Sequence, residues 1–197
     1  IPGTRIEELE TADQVMRDRA MGALLNLTLR ELFEFGFMQT DPNFANYRWQ
    51  AEGGRIVLLD FGAARAVPAA TAAAYRRLML AGLAGDSMAL KAALLDVGFV
   101  SPLTFERHAA SLDAMIGVLM EHLGRPGVFD FADRSFVAEV RQHAEVIAAD
   151  RAAWHIPPAE TLFVQRKVSG TALLAVRMAA RVPLRAMVAA SIGSPNE

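Results

Sequence analysis

The stretch that decides the fold and chemistry of this chain reads FMQTDPNFAN at residues 37–46 and IVLLDFG at residues 56–62. It supplies Asp41, then Asn46 in the same loop, and Asp60 directly after an apolar strand. In phosphoryl transfer from a nucleotide, one carboxylate orients or deprotonates the acceptor. An amide and a second carboxylate hold Mg²⁺ on the phosphates. The pattern therefore predicts a phosphoryl-transfer site.

Each residue of this pattern also has an ordinary structural explanation. An Asp-Pro-Asn turn is common on protein surfaces, because Asp hydrogen-bonds the backbone two residues on. Asp60 is less ordinary, since a carboxylate at the mouth of a buried strand is costly to desolvate unless a cation compensates. We expect Phe61 to pack beneath the site and Gly62 to let the chain turn away. A hairpin would bring Asn46 and Asp60 to one point, close to Asp41.

The bulk composition limits the classes of protein that fit. A chain of 197 residues that is 53% hydrophobic has enough apolar side chains for one domain or one large lobe. A net charge of -2 gives no sign of a nucleic-acid footprint, which usually needs a basic face. The absence of cysteine excludes disulfides, thiolate catalysis and cysteine zinc sites. No apolar run is long enough to predict a transmembrane helix.

The hydrophobic pattern predicts a mainly α chain with one small β-hairpin. Residues 1–10 are interpreted as a strand end or hinge, and residues 37–46 as a loop. The hairpin strands are predicted at 46–49 and 55–59, with residues 56–59 buried on both faces. Beyond residue 68 only helices are predicted. The predicted helices cover residues 12–35, 69–84, 87–97, 102–123, 132–149, 158–180 and 183–192.

Basic residues in the last third of the chain are interpreted as surface groups. Arg166 and Lys167 are assigned to a solvated helical face. Arg177, Arg181 and Arg185 lie among apolar residues in a basic amphipathic C-terminal segment. This segment is expected to dock on the rest of the domain, with a peripheral membrane contact as the alternative.

Residues 29–46 and 57–65 resemble the UbiB family of atypical kinases (AarF/ADCK type), and most of all its ubiquinone-associated branch in bacteria and mitochondria. The likeness continues through residues 128–131, 157–161 and 165–167. The resemblance implies a protein-kinase-like fold, binding of ATP or ADP with Mg²⁺, and a role that supports coenzyme Q (ubiquinone) biosynthesis at a membrane.

The resemblance also implies roles for the individual residues of the motif. Asp41 matches the catalytic aspartate of the family, and Asn46 and Asp60 match its metal-binding residues. Phe61 and Gly62 complete the Asp-Phe-Gly segment of the nucleotide site.

Two neighbouring residues depart from ordinary protein kinases. Gln39 and Thr40 stand where those kinases have His-Arg. This departure agrees with the family and weakens the case for ordinary Ser/Thr kinase activity. The resemblance to the family implies an ATPase, or an enzyme that acts on small or lipid-like molecules.

The whole chain, residues 1–197, is expected to be the C-terminal (lower) lobe of a kinase-like fold, with the upper lobe absent. In this division residues 1–10 are the hinge, residues 37–65 hold the catalytic loop, hairpin and Asp-Phe-Gly segment, and residues 66–197 form a helical subdomain. Lys91 and Lys167 are the only lysines and both follow Asp60, so no phosphate-pairing lysine of an upper lobe is found. We expect this lobe alone to hold half a nucleotide site, with little or no turnover.

Two other functions remain open. One is a non-catalytic scaffold module that binds a nucleotide or a lipid. The other is a small-molecule kinase of the aminoglycoside or choline type, although those usually carry His two residues before the first Asp, where this chain has Gln39. The expected partners are a nucleotide, a peripheral membrane or quinone-like lipid, and ubiquinone-biosynthesis proteins. The expected location is the bacterial cytoplasm at the inner membrane, or the mitochondrial matrix in a eukaryote.

Overall fold

The computed structural model describes residues 2–41 and 43–193, most of which are helical. Ile1 of the predicted hinge, Pro42 of the predicted Asp-Pro-Asn turn and residues 194–197 lie outside the described residues. The helices are α1 (Gln14–Arg30), α2 (Ala69–Ala84), α3 (Ser87–Val97), α4 (Pro102–Gly124), α5 (Val137–Ala149), α6 (Ala159–Arg177) and α7 (Leu184–Ile192). The strands are β1 (Thr4–Arg5), β2 (Phe37–Gln39), β3 (Tyr47–Gln50), β4 (Arg55–Leu58), β5 (Ala64–Ala66), β6 (Phe129–Asp130) and β7 (Arg181–Val182).

Helices α2 and α3 have the predicted bounds because their ends are encoded locally. Gly85 and Gly98 follow their last residues with φ of 70° and 79°, a left-handed conformation that glycine adopts without strain. Asp86 caps α3 by accepting a hydrogen bond from Ala89 N at 2.9 Å. Ser101 caps α4 in the same way through Thr104 N.

The long helix predicted at residues 12–35 is divided into two kinds of helix. Asp13 caps α1, which ends at Arg30, and residues Glu31–Phe35 continue as a π-helical turn. Gly36 then ends the helix with φ of 61°. Within a helix, such π turns are often found at functional sites.

The strands form three small antiparallel sheets within the described residues, so the prediction of a single hairpin was incomplete. One sheet has the order β1-β3-β4, and β2 pairs with β5. The predicted loop at 37–46 therefore contains β2, and it also contains a 3₁₀ turn at Phe44–Asn46. The prediction of helices alone beyond residue 68 was wrong, because β6 pairs with β7.

The expectation that residues 56–59 are buried on both faces was also wrong. Strand β4 lies at the edge of its sheet and pairs with β3 alone, so its residues are only half-buried. Helix α5 begins at Val137 rather than 132, because Asp130 and Asp133 accept local hydrogen bonds from Ala132 N and Ser135 N. These turns occupy the residues before the helix.

Two clusters of buried apolar side chains hold the elements together. The first joins the N-terminal segment, α1, β3, α6 and β7 through Ile6, Leu9, Met21, Leu24, Tyr47, Trp49, Leu174, Met178 and Val182. The second joins the end of α1 and the π turn to β2, α2, α6 and α7 through Leu29, Leu32, Phe33, Met38, Tyr75, Val164 and Ile192. Each fully buried side chain of this size contributes roughly 1.5–3 kcal/mol. The segment that carries Asp41 lies between the two clusters in sequence, since Met38 belongs to one and Tyr47 to the other.

Candidate functional site

Two short strand pairings set the backbone positions of the predicted site. In the first, β2 pairs with β5 so that Gln39 lies opposite Ala64. In the second, β3 pairs with β4 so that Tyr47 lies opposite Leu58. The carbonyl of Asn46 accepts a hydrogen bond from Leu59 N at 3.0 Å, one step beyond that ladder. Asn46 is therefore held next to the backbone of Asp60, as the hairpin argument predicted.

Asp41 and Asn46 are in direct contact. Asn46 Nδ2 donates a hydrogen bond of 2.9 Å to Asp41 Oδ2. The other carboxylate oxygen, Asp41 Oδ1, accepts from Asn43 N at 3.2 Å, which is the local turn contact that an Asp-Pro-Asn sequence predicts. Both Asp41 and Asn46 are half-buried. The carboxylate is thus fixed by two donors at one edge of the fold.

Gln39 connects Asp41 to Asp60. Its side-chain oxygen accepts from Asp41 N at 2.8 Å, and its side-chain nitrogen donates to the carbonyl of Asp60. The Gln39 residue itself is 2% exposed, while its two partners, Asp41 and Asp60, are half-buried and exposed. The residue that departs from the His of ordinary protein kinases therefore joins the two halves of the predicted site through hydrogen bonds.

Asp60 does not sit in the desolvated position that the sequence suggested. It is exposed, because β4 is an edge strand and ends before it. Asp60 Oδ1 accepts a hydrogen bond of 2.7 Å from Gly62 N. A Cβ atom on Gly62 would lie 3.1 Å from the same oxygen, so a larger residue there would crowd the carboxylate.

Phe61 does not pack beneath the site in this structure. Its side chain is 60% exposed, and the expectation of a buried ring was wrong. The segment after Asp60 turns immediately, with Ala64 N donating to Phe61 O, and then enters β5. Pairing of β5 with β2 therefore fixes the backbone here without a contribution from the Phe61 ring.

The side-chain oxygens of Asn46 and Asp60 are the kind of ligand that suits a hard divalent cation bound to phosphate. The amide nitrogen of Asn46 donates to Asp41, so its amide oxygen is the atom that would bind a ligand. For Asp60 the corresponding atom is Oδ2, because Oδ1 accepts from Gly62 N. Mg²⁺ characteristically takes one or two carboxylates together with phosphate oxygens and water. Within residues 2–41 and 43–193, no cluster of three His, Cys, Asp or Glu side chains forms a complete metal site. Phosphate oxygens and water would therefore have to complete the coordination.

A cavity of about 310 Å³ lies beside the loop that carries Asp41. Thr40, Arg65, Glu160 and Phe163 are among the residues that line it. Thr40 Oγ1 donates to Ala63 O at 2.6 Å, and the Arg65 guanidinium stacks 4.2 Å from the centre of the Phe163 ring. A larger cavity, of about 620 Å³ between α1 and α7, contacts none of the predicted site residues.

Sequence reasoning missed two buried charged residues behind the site, Glu31 and Lys167. Lys167 was assigned to a solvated face, yet its side chain is completely buried, with Nζ 2.9 Å from Glu31 Oε2. Glu31 lies in the helix predicted at residues 12–35, with no role assigned to it. One available signal was a carboxylate at Glu31 next to the apolar residues Leu32 and Phe33, since a buried carboxylate requires a partner.

The basic C-terminal segment contacts the rest of the domain, as expected. Arg177 pairs with Glu10, Arg181 Nε donates to Asp130 Oδ2 at 3.1 Å, and Arg185 donates to Leu83 O at 2.7 Å. Across residues 2–41 and 43–193, the structure contains no helix that combines the length and apolar character needed to cross a bilayer.

A family model and several curated proteins match this sequence. The model described as the ABC1 atypical kinase-like domain matches residues 1–94. The mitochondrial atypical kinase COQ8B of Danio rerio is 32% identical over 190 residues, which are 95% of this chain and 30% of that protein. COQ8B of Rattus norvegicus is 34% identical, with 93% of this chain and 34% of that protein covered.

A fungal relative and one solved structure extend these matches. COQ8 of Saccharomyces cerevisiae, also named a mitochondrial atypical kinase, is 31% identical, with 91% of this chain and 36% of that protein covered. The chain therefore spans about a third of the length of these relatives. The structure of the Rv3197–erythromycin complex from Mycobacterium tuberculosis superposes with a TM-score of 0.71 over 99% of this chain and 49% of that chain. At 19% sequence identity, this superposition shows a shared fold alone.

The family match covers the loop with Asp41 and Asn46 and the segment with Asp60, and the relatives extend the similarity over most of the chain. The chain belongs to the UbiB family of atypical kinases, which includes the COQ8 and ADCK proteins.

Proposed function

We propose that this chain is the lower lobe of a UbiB-type atypical kinase or ATPase that binds ATP or ADP together with Mg²⁺. In this proposal residues 1–10 are the hinge, residues 37–65 carry the site, and residues 66–197 form the helical subdomain. The relatives named atypical kinases support the reaction class. Their greater length is consistent with a site that this lobe completes together with further chain.

One observation carries the proposal: the loop with Asp41 and Asn46 is joined by hydrogen bonds to the separate segment with Asp60. The Asn46 side chain donates a hydrogen bond to the Asp41 carboxylate. Its backbone carbonyl accepts one from the nitrogen of Leu59, the residue before Asp60. Gln39 then joins the backbones of Asp41 and Asp60. A chance surface turn would explain the local contacts of Asp41 with Asn43 and Asn46, but it would not explain the links from Gln39 to Asp60 and from Asn46 to Leu59.

The residues have distinct roles in this proposal. Asp41 orients or activates the nucleophile, since it is a half-buried carboxylate fixed by two donors. Asn46 and Asp60 supply the oxygen ligands for the cation. A bound Mg²⁺ would neutralise charge on the phosphates. Gly62 belongs to the nucleotide site because it fixes Asp60 Oδ1, and Phe61 is exposed beside it, where a nucleotide or another part of the protein could contact the ring.

The biological role in this proposal is support of coenzyme Q biosynthesis, at the bacterial inner membrane or in the mitochondrial matrix. The support comes from relatives named COQ8 that share about 30% identity over most of the chain. Loss of the gene should lower the ubiquinone content of the host cell. Reintroduction of the wild-type gene should restore ubiquinone, and the Asp41→Asn gene should not.

The direct test is the melting temperature of the full-length protein with and without Mg²⁺ and ADP or ATP. A ligand that binds the native state must stabilise it by mass action, by roughly 2.7 kcal/mol at a hundredfold excess over Kd. The wild type should show a rise that requires both metal and nucleotide. Asp60→Asn should abolish the metal-dependent part of the rise.

Glu139→Gln is the matched control, because it neutralises an exposed carboxylate on α5 that contacts none of the site residues. This variant should keep the full rise. If the wild type shows no shift with any combination of metal and nucleotide, the nucleotide proposal fails. The non-catalytic scaffold would then be the better explanation, and lipid binding would be tested next.

A further inference from the structure

A buried polar cluster lies behind the candidate site and includes residues that the proposed reaction does not use. Lys167 in α6 is 0% exposed and Glu31 in the π turn is 3% exposed. Lys167 Nζ lies 2.9 Å from Glu31 Oε2 and donates a hydrogen bond of 3.0 Å to the hydroxyl of Tyr47. An ammonium and a carboxylate are thus both removed from water in the centre of the molecule, at a substantial desolvation cost.

The cluster reaches the loop of Asp41 by two routes. Glu31 Oε1 accepts a hydrogen bond of 3.1 Å from Gln39 N. The Tyr47 hydroxyl accepts from Lys167 and donates to the carbonyl of Asp41 at 3.4 Å. Burial raises the pKa of the Tyr47 phenol despite the opposing effect of Lys167, so the hydroxyl keeps the proton that it donates. The links from Glu31 to Gln39 and from Lys167 through Tyr47 to Asp41 are hydrogen bonds with defined donors and acceptors, and Lys167 and Glu31 form an ion pair.

Stability alone is a poor explanation of this cluster. Replacing a buried ion pair with apolar residues of similar volume is often neutral or stabilising, so a packed core does not require one. The cluster provides something that apolar residues cannot, namely directional hydrogen bonds to the backbone of Gln39 and Asp41. Those two residues bear the side chains that join the halves of the candidate site.

We propose that Lys167, with Glu31 and Tyr47, is a positioning residue that fixes Gln39 and Asp41 in the geometry required for phosphoryl transfer. This inference rests on the proposed function for its catalytic consequence. The three residues of the cluster are buried, and none of them is a proposed metal ligand or the proposed activator of the nucleophile. The cluster acts through the backbone of the loop, and it should affect turnover more than nucleotide affinity.

Tyr47→Phe is the sharpest variant, because it removes one hydroxyl and keeps the ring in the core. The chain offers a matched control in Tyr75, its only other tyrosine, which is also 3% exposed. The Tyr75 hydroxyl donates to Thr161 O at 3.3 Å and makes no contact with the candidate site. Both substitutions remove a phenolic hydrogen bond to a backbone carbonyl, but only Tyr47→Phe affects a carbonyl of Asp41, and it also removes the acceptor of the Lys167 hydrogen bond.

Two measurements on the full-length protein test the inference. Tyr47→Phe should lower kcat by about tenfold and leave KM for the Mg-nucleotide within about twofold, since the lost contact affects loop geometry rather than ground-state binding. Amide hydrogen exchange in the peptide spanning residues 39–46 should be about fivefold faster or more, because local opening becomes easier. Tyr75→Phe should change neither quantity.

A second variant removes the ion pair without leaving a lone buried charge. The double substitution Glu31→Gln and Lys167→Met keeps an amide oxygen at residue 31 but removes the ammonium that contacts Tyr47. Exchange at residues 39–46 should again be faster, with the overall fold retained.

The outcomes separate this inference from the proposed function. If the wild type neither binds nor hydrolyses nucleotide, the proposed function fails, and the exchange data still decide whether the cluster holds the loop. If Tyr47→Phe and Tyr75→Phe lower the melting temperature equally, with exchange at residues 39–46 and kcat unchanged in both, the cluster is only structural and the inference is overturned.

Discussion

Asn46 Nδ2 donates a hydrogen bond of 2.9 Å to Asp41 Oδ2, so the amide and the carboxylate of the candidate site are directly joined. This contact orients both side chains at once. It restricts the orientation of the Asp41 carboxylate, and it leaves the amide oxygen of Asn46 as the atom that can bind a cation. In the proposed function, Asp41 and Asn46 would therefore have separable effects on chemistry and on metal binding.

The substitution Asp41→Asn should separate turnover from nucleotide binding. It keeps the size of the side chain but removes the negative charge that orients or activates the nucleophile. We expect kcat of the full-length protein to fall about 10²–10⁴-fold, the usual contribution of a general base. The melting-temperature rise with Mg²⁺ and ADP should persist. Loss of that rise together with turnover would contradict the assignment of Asp41 to chemistry.

The substitution Gln39→Met should destabilise the candidate site through its backbone. Methionine has a similar volume but cannot bond to Asp41 N or to the Asp60 carbonyl. Both backbone groups lose a partly buried hydrogen bond, and such a bond contributes roughly 0.5–1.5 kcal/mol. Chemical denaturation of the full-length protein should therefore show a lower free energy of unfolding.

Gln142→Met is the control for that comparison, because Gln142 is an exposed residue on α5. Its effect on the free energy of unfolding should be within about 0.5 kcal/mol of zero, as for most surface substitutions. Equal effects of the two variants would mean that the Gln39 bonds contribute no stability.

Asp150 should make the stability of the helical region depend on acid pH. Hydrogen bonds from Arg107 and then from His108 lower the pKa of the Asp150 carboxyl from 3.8 to about 2. A carboxyl whose pKa is lowered by folding stabilises the native state above its unfolded pKa. This contribution is lost as pH falls through the folded pKa, so the window runs from about pH 4 down to about pH 2.

Asp150→Asn should therefore lower the melting temperature at neutral pH, and the difference from the wild type should shrink as pH falls through that window. Arg107→Gln should reduce the pH-dependent part, because Arg107 has the largest effect on this pKa. A difference between wild type and Asp150→Asn that is constant from pH 7 to pH 2 would contradict this account.

Helices whose ends are marked by their own residues could be predicted from the sequence. Gly85, Asp86 and Gly98 delimit α2 and α3 through local capping, and both helices have the predicted bounds. The hairpin around Gly53 and Gly54 was also predicted to within a residue of its strands. The pairing of β6 with β7 could not be predicted, because two-residue strands with helices α5 and α6 between them leave no local signal.

The exposure of individual side chains was less predictable than the backbone. Lys167 looked like a surface residue because lysine usually is one, yet its partner Glu31 lies on a distant helix. Asp60 and Phe61 were expected to be buried, but β4 is an edge strand. Sequence periodicity identifies apolar faces; it does not show which strand occupies the edge of a sheet.

The sequence by itself determined the residue types of the candidate site, the hairpin that brings Asn46 near Asp60, and the bounds of α2 and α3, because spacing and capping are local properties of the chain. Only the tertiary structure decided that Gln39 joins Asp41 to Asp60 and that Lys167 and Glu31 form a buried pair behind them. These contacts depend on how α6, the π turn and β2 pack together. Away from water, a polar group with a partner forms a stronger hydrogen bond, and a polar group without one destabilises the fold. Packing of these elements determines which groups have partners.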